Sequence, residues 1–267
     1  MSGSDDAITG PHWGLDNLAR SALVLERARR QLADGDPEGA VVYAEELLDD
    51  NPSDVDALLV IADAAPRYGH GEVGVLAARQ ARTLGRDPGV LEAAALLAAC
   101  EVEAALAAAD RLLDPAAAGP VAGGPVMAAR AWAIRAQALE VLGRFAEADV
   151  ALARAHAIRP ESYPRPARLD ARAWEAAMRE ALSMLDGPDR EIVRGWRVEI
   201  GEAPTLEELR SVRPHAPPAT RVLLVRTPAG PVLRAYRRPL ARGADDAEEV
   251  AMRLAEAIRY ELEVFVG

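Results

Sequence analysis

The stretch ARAWAIRAQALEVLGRFAEADVALARAHAIRP, residues 129–160, decides the fold. Trp132, Ala136 and Leu139 recur at four- and three-residue steps, which places them on one face of a helix. Gly143 and Arg144 then break the chain, Ala148, Leu152 and Ala155 mark a second helix, and Pro160 ends it. Two helices joined this tightly double back on each other, and the small side chains at 136, 148 and 155 let their backbones approach closely. A lone pair of this kind cannot bury its apolar faces, so it must stack on further pairs.

Working toward the N-terminus, the same plan recurs. Residues 21–52 carry Ala28, a turn at Gly35-Asp36, then Ala40, Ala44 and Leu47, and close on Asn51-Pro52. Residues 55–87 follow with Ala57, Ala62, a turn at Tyr68-Gly69, then Gly74, Ala78 and Ala81. A degenerate third pair has helices near 88–99 and 101–113 with almost no turn between them, and the Gly- and Pro-punctuated residues 115–125 read as a flexible loop. With 129–160 as the fourth, these units resemble the tetratricopeptide repeat. The resemblance implies an α-solenoid over residues 20–163 with a groove lined by the first helix of each unit. The residues expected to face it are Leu25, Arg29 and Leu32, then Leu59, Asp63 and Arg67, then Ala133, Gln137 and Glu140. Members that clamp a C-terminal carboxylate use Lys and Asn there, and neither occurs at these positions, which argues against chaperone-tail binding. An array serving merely as a spacer is the plainer alternative. Residues 1–19 read as a flexible N-terminal segment.

Beyond residue 166 the periodicity changes. Residues 169–185 form an amphipathic pattern with Trp174, Ala177, Met178, Ala181, Leu182 and Leu185 on one side, stopped by Asp186-Gly187-Pro188. A short strand is expected at 196–200, a helix from the Thr205 cap to about Val212, and a Pro-rich loop at 213–218. Residues 221–227 and 232–238 flank Pro228-Ala-Gly-Pro231, a β-hairpin pattern, and a final helix starts near Asp245. The order describes a small α+β domain over residues 167–267. The fold class is therefore mainly α: a solenoid followed by an α+β domain with a hairpin and a C-terminal helix.

This second domain is similar to the minimal zincin-like family of bacterial zinc metallopeptidases. The resemblance rests on residues 174–182 (WEAAMREAL), 196–200 (WRVEI), 236–240 (YRRPL) and the acidic lead 245–250 into the last helix. That family closes the helix with H-E-x-x-H-H-F-G, in which two imidazoles one turn apart hold Zn²⁺ and the Glu is the general base. On this chain the ligand places fall on Tyr260 and Val264, the base on Glu261 and the closing glycine on Gly267. A carboxylate without a metal-bound water has no nucleophile to activate. The expectation is no catalytic residue, no bound metal and no cofactor, with Tyr260 and Val264 packed into the domain core.

The hairpin is rich in arginine. Strand alternation places Arg234, Tyr236 and Arg238 on one face, with Arg221, Arg226, Arg237 and Arg242 nearby. Such a cluster either docks an acidic partner surface or balances Glu248, Glu249 and the first helix of the domain.

Charge narrows the function classes. The net charge is −11, and residues 1–50 hold 11 acids against 4 arginines, so the acidity sits at the front. Phosphate-backbone binding needs clustered cations and is disfavoured as the main activity. Every basic residue other than histidine is arginine, which with the abundant alanine points to codon bias in a GC-rich bacterial genome. Cys100 lies in an Ala/Leu run and reads as a buried thiol, and His215, in its Pro-rich loop, as solvated. No leader-like or bilayer-length apolar segment is evident, so a cytoplasmic protein without membrane insertion is expected. The function expected is a non-catalytic adaptor binding protein partners, with a regulator of a bacterial signalling or cell-organisation module and an active zinc peptidase as the alternatives.

Overall fold

The computed structural model describes residues 12–114, 124–212 and 219–266. The architecture is mainly helical with one small sheet. Among the described residues the helices that come first are α1 (His12–Ala33), α2 (Pro37–Asp50), α3 (Val55–Ala64), α4 (Gly71–Thr83), α5 (Val90–Ala98), α6 (Val102–Leu113), α7 (Gly124–Val141) and α8 (Phe145–Ile158). Local chemistry sets several of their starts. The Asp36 carboxylate accepts the Gly39 N–H at 2.9 Å to cap α2, and Asp54 accepts the Ala57 N–H at 3.0 Å to cap α3, each satisfying a backbone donor that the first turn leaves unpaired. A single 3₁₀ turn, Ala65–Tyr68, follows α3 and ends on left-handed Gly69.

Each of these helices packs on the next, and the alternate helices α1, α3, α5 and α7 also touch in a row. The packing depends on small residues: Ala28, Ala40, Ala44, Ala57, Ala62, Ala78 and Ala81 have no exposed surface. At Gly71 the first turn of α4 runs against the end of α5 so closely that an added Cβ would lie 2.3 Å from the Ala99 backbone nitrogen. Cys100 follows α5 in the left-handed region (φ 57°), and the Glu101 N–H bonds to the Leu96 carbonyl at 2.9 Å, closing the helix. Its thiol is buried, and that burial pushes its pKa up.

Two differences from the sequence expectation lie in this part. Residues 12–19 belong to α1, and Gly124 and Pro125 open α7; residues 1–11 and 115–123 are outside the described residues. Proline at the second position of a helix removes a donor that would be unpaired there anyway, so the Pro-containing 124–125 step starts a helix instead of prolonging the loop.

The remaining elements are α9 (Ala171–Ser183), α10 (Gly187–Arg194), β1 (Arg197–Gly201), α11 (Leu206–Ser211), β2 (Val222–Thr227), β3 (Gly230–Tyr236), α12 (Arg237–Ala241) and α13 (Ala247–Val266). The sheet order is β1-β3-β2, with β3 parallel to β1 (Val198 opposite Leu233) and antiparallel to β2 (Leu224 opposite Leu233). Asp170 and Asp186 cap α9 and α10, and Thr205 with Glu208 forms a reciprocal capping box on α11. The sequence reading treats Asp186-Gly187-Pro188 as a stop, whereas it both stops α9 and starts α10. A core of Trp174, Ala177, Ala181, Leu185, Leu233, Leu254 and Ile258 joins α9, the sheet and α13.

The two parts of the chain are joined through α11. Leu209 is fully buried among Val90, Leu97, Cys100, Ala131 and Ile134, so a helix inserted between β1 and β2 is part of the core of α5, α6 and α7. Arg210 Nη2 also donates to the Cys100 carbonyl at 2.9 Å. Among the described residues no helix is long and apolar enough to cross a membrane.

Candidate functional site

On α13 one stripe faces inward: Val250, Ala251, Leu254, Ala255, Ile258 and Leu262 are buried. Two residues further along a helix is about 200° of rotation, so Tyr260 and Val264 point away from this stripe. Both are 66% exposed. The expectation that they pack into the core is corrected by this geometry: core positions are set by the 254–258–262 spacing, and the 260–264 pair shares the outward stripe of Met252 and Glu256.

Glu261 sits between the two stripes. Its carboxylate accepts the Leu224 N–H of β2 at 3.2 Å, and burial pushes its pKa above the ordinary carboxylate range, with that hydrogen bond pulling in the opposite direction. The group ties the terminal helix to the sheet edge. Among the described residues no cluster of three His, Cys, Asp or Glu side chains could hold a metal ion. His156 Nδ1 is 3.0 Å from the Tyr163 carbonyl and the His70 ring leans on Tyr68; His215 is outside the described residues.

Four of the arginines, Arg234, Arg237, Arg238 and Arg242, are engaged within the chain. Arg234 pairs with Glu199 at 3.0 Å and Glu208 at 2.7 Å, linking β3, β1 and α11. Tyr236 is 1% exposed, which removes it from any binding surface. Arg238 leaves the shared face because β3 ends at Tyr236 and the chain turns into α12. It reaches the repeat-like region, where its Nε bonds Glu140 at 3.1 Å, its Nη2 bonds Asp149, and its guanidinium lies 5.2 Å from the Phe145 ring. Arg242 adds a second ion pair to Glu140, and Arg237 pairs with Glu202 at 3.1 Å. The neutralising acids are thus Glu140, Asp149, Glu199, Glu202 and Glu208 and not the expected Glu248 and Glu249; Glu249 is bound to Arg253.

The expected groove residues separate into groups. Leu25, Leu32 and Leu59 are partly buried against the core of α1 to α4. Arg29 bonds Asp56 at 3.2 Å; Asp63 bonds Arg67 at 2.8 Å and Arg130 of α7 at 2.6 Å, a bridge from α3 to α7. Gln137 is half-buried, but Ala133 (8% exposed) and Glu140 (5%) are interior. Both are corrected as groove residues. Helices α5, α6 and α8 pack on α7, and Arg238 and Arg242 reach Glu140 near its end.

Glu140 is the residue whose role the sequence reading missed. A glutamate one step from the core residue Leu139 in an alanine-rich helix is itself a signal, because buried carboxylates need cationic partners. The partners lie about a hundred residues away in Arg238 and Arg242. Between these elements opens a cleft of about 660 Å³ lined by α7, α8, residues 165–169, Trp174 and α12. Comparison with models of known protein families and with curated proteins finds no match to this chain.

Proposed function

We propose that the chain is a non-catalytic adaptor of the bacterial cytoplasm. In this reading residues 20–163 are a tetratricopeptide-type solenoid whose inner face receives one protein partner. Residues 167–267 are a zincin-like unit that has lost its metal ligands and presents the stripe of its terminal helix to another.

One observation carries the proposal. At the two places where a zincin helix presents imidazoles to a metal, this helix presents Tyr260 and Val264 to solvent, 66% exposed and one turn apart. Exposed apolar side chains in such a pair suit contact with a partner, whereas a ligand set must converge on a point. Support for the solenoid comes from the row of contacts along α1, α3, α5 and α7 and from alanine at the close-packed positions. The exposed inner-face residues Arg29 and Arg67 are each tied to an aspartate on the same face. That mixed-charge surface fits a protein segment better than a nucleic acid, which would call for uncompensated cations.

The test has two parts on the purified full-length chain. Elemental analysis is expected to find zinc far below one ion per chain. Partners captured with the wild-type chain are expected to be lost with Tyr260→Glu/Val264→Glu at unchanged melting temperature. One zinc per chain, together with peptidase activity abolished by chelation, would overturn the adaptor reading.

A further inference from the structure

The cleft between α8 and α12 carries an inference that does not rest on the adaptor reading. Its volume, about 660 Å³, falls in the range of small-molecule sites, about 300–1,000 Å³. One wall is apolar, with Leu152, Leu169 and the indole of Trp174. The opposite rim is cationic. Arg165 and Arg168, in the segment joining α8 to α9, are exposed and make no ion pair among the described residues. That segment is held in place: the Ala167 N–H bonds the Ala241 carbonyl of α12 at 3.0 Å.

Arg237 completes the rim. Its guanidinium lies 5.8 Å from the Trp174 ring centroid, its pairing with Glu202 is solvent-exposed and therefore weak, and its Nε is buried without a hydrogen-bond partner among the described residues. The same holds for Arg242 Nε on the same wall. A buried donor without an acceptor is unfavourable, and an incoming oxyanion relieves it. In a chain of net charge −11, this is a local concentration of cation beside an aromatic floor.

We infer that this cleft binds a small amphiphilic anion: an aromatic or aliphatic body packed against Leu169 and the small exposed edges of Trp174 and Leu152, with one phosphate or carboxylate head held by Arg165, Arg168 and Arg237. Arginine forks match both head groups in bidentate geometry. Three acids line the cleft: Glu140 and Asp149 are taken up by Arg238 and Arg242, and Glu202 pairs with Arg237 at 3.1 Å, a solvent-exposed contact that an incoming anion must displace or share.

Calorimetric titration of the full chain at low ionic strength with phenyl phosphate, benzoate and inorganic phosphate tests the assignment. Saturable binding of phenyl phosphate or benzoate is expected, and the tighter of the two names the head group. Inorganic phosphate should bind at least about 10-fold more weakly, because it lacks the apolar body. Arg165→Ala/Arg168→Ala should weaken the organic anion by about 10- to 100-fold; both side chains are exposed and form no ion pair among the described residues, so the variant keeps the wild-type melting temperature. A second readout is quenching of tryptophan fluorescence, expected to disappear in Trp174→Leu. The assignment is overturned if neither organic anion saturates below about 10 mM, if the double-arginine variant binds unchanged, or if inorganic phosphate binds as tightly as phenyl phosphate.

Discussion

Replacing Glu140 by alanine strips the shared carboxylate from two guanidiniums at the junction of the chain's two parts. In the native protein Glu140 Oε1 lies 3.1 Å from Arg238 Nε, and Oε2 bonds Arg242, with the glutamate itself 5% exposed. At an effective dielectric near 20 each such contact is worth roughly 5 kcal/mol of attraction, most of it offset by desolvation. Removing one partner of a buried pair is harsher than the net value of the pair, about 3–5 kcal/mol, because the remaining charge stays buried and uncompensated. Here Arg238 keeps Asp149, and each arginine side chain retains about a fifth of its exposure (18% and 20%). Water therefore recovers part of the loss, and a destabilisation of about 3 kcal/mol is expected. Urea unfolding followed by tryptophan fluorescence measures it, since Trp132 on α7 and Trp174 on α9 report from either side of the junction. The apolar replacement Glu140→Leu/Arg238→Met/Arg242→Met is expected to recover most of the stability, as no charge is left stranded. If Glu140→Ala lies within about 0.5 kcal/mol of wild type, the range of an ordinary surface substitution, the junction is not held by this carboxylate and the reasoning fails.

Leu209→Ala should lose about 2–5 kcal/mol, as for other buried leucines. It should also raise amide exchange across 206–211, and unchanged protection there would show that α11 does not depend on the repeat-like region. Gly71→Ala forces a methyl group to within 2.3 Å of the Ala99 nitrogen and 2.4 Å of the Ala98 carbonyl carbon. It should destabilise by about 3 kcal/mol or more, whereas Gly195→Ala, with nothing within 4 Å, should be neutral or stabilise by about 0.4–1 kcal/mol in thermal unfolding; equal effects would contradict the close approach of α4 and α5. Glu261 has a folded-state pKa raised by desolvation, so the stability it contributes is full below its unfolded pKa, about 4.3, and is lost as pH climbs through the raised value. Glu261→Gln keeps an acceptor for the Leu224 N–H, and should gain on wild type from about pH 4 toward pH 7. A stability difference independent of pH across that window would refute the assignment.

Most helix positions are legible because their signals are local; the short helices α10 and α12 and the first two turns of α1 are not. Trp132, Ala136 and Leu139 lie on one face at helical spacing, and Gly35, Gly69 and Gly143 sit at positive φ in the turns where the chain must reverse. The hairpin at 228–230 was legible for the same reason. What failed was assignment of faces. Tyr260 and Val264 were assigned inward because they are apolar, but the inward stripe was already filled by Leu254, Ile258 and Leu262. Tyr236 and Arg238 were assigned a common face by extending strand alternation two residues past the end of β3. Ala133 and Glu140 were assigned to an open groove by a rule that takes one helix face as free.

The sequence by itself determined most of the helices, the turns between them, and the run of small residues that lets them pack, because those properties depend on neighbours a few positions away. Tertiary structure alone decided that Leu209 belongs to the core of α5, α6 and α7, that Glu140 is the counter-ion of Arg238 and Arg242, and that a cationic cleft opens beside Trp174. The hydrogen bonds at this junction, from Arg238 and Arg242 to Glu140 and from Arg210 to the Cys100 carbonyl, join residues 98 to 110 positions apart. No periodic pattern encodes such a pairing; it arises from burying apolar surface on both parts of the chain at once, and the charges at the junction then take the partners that this burial places within reach.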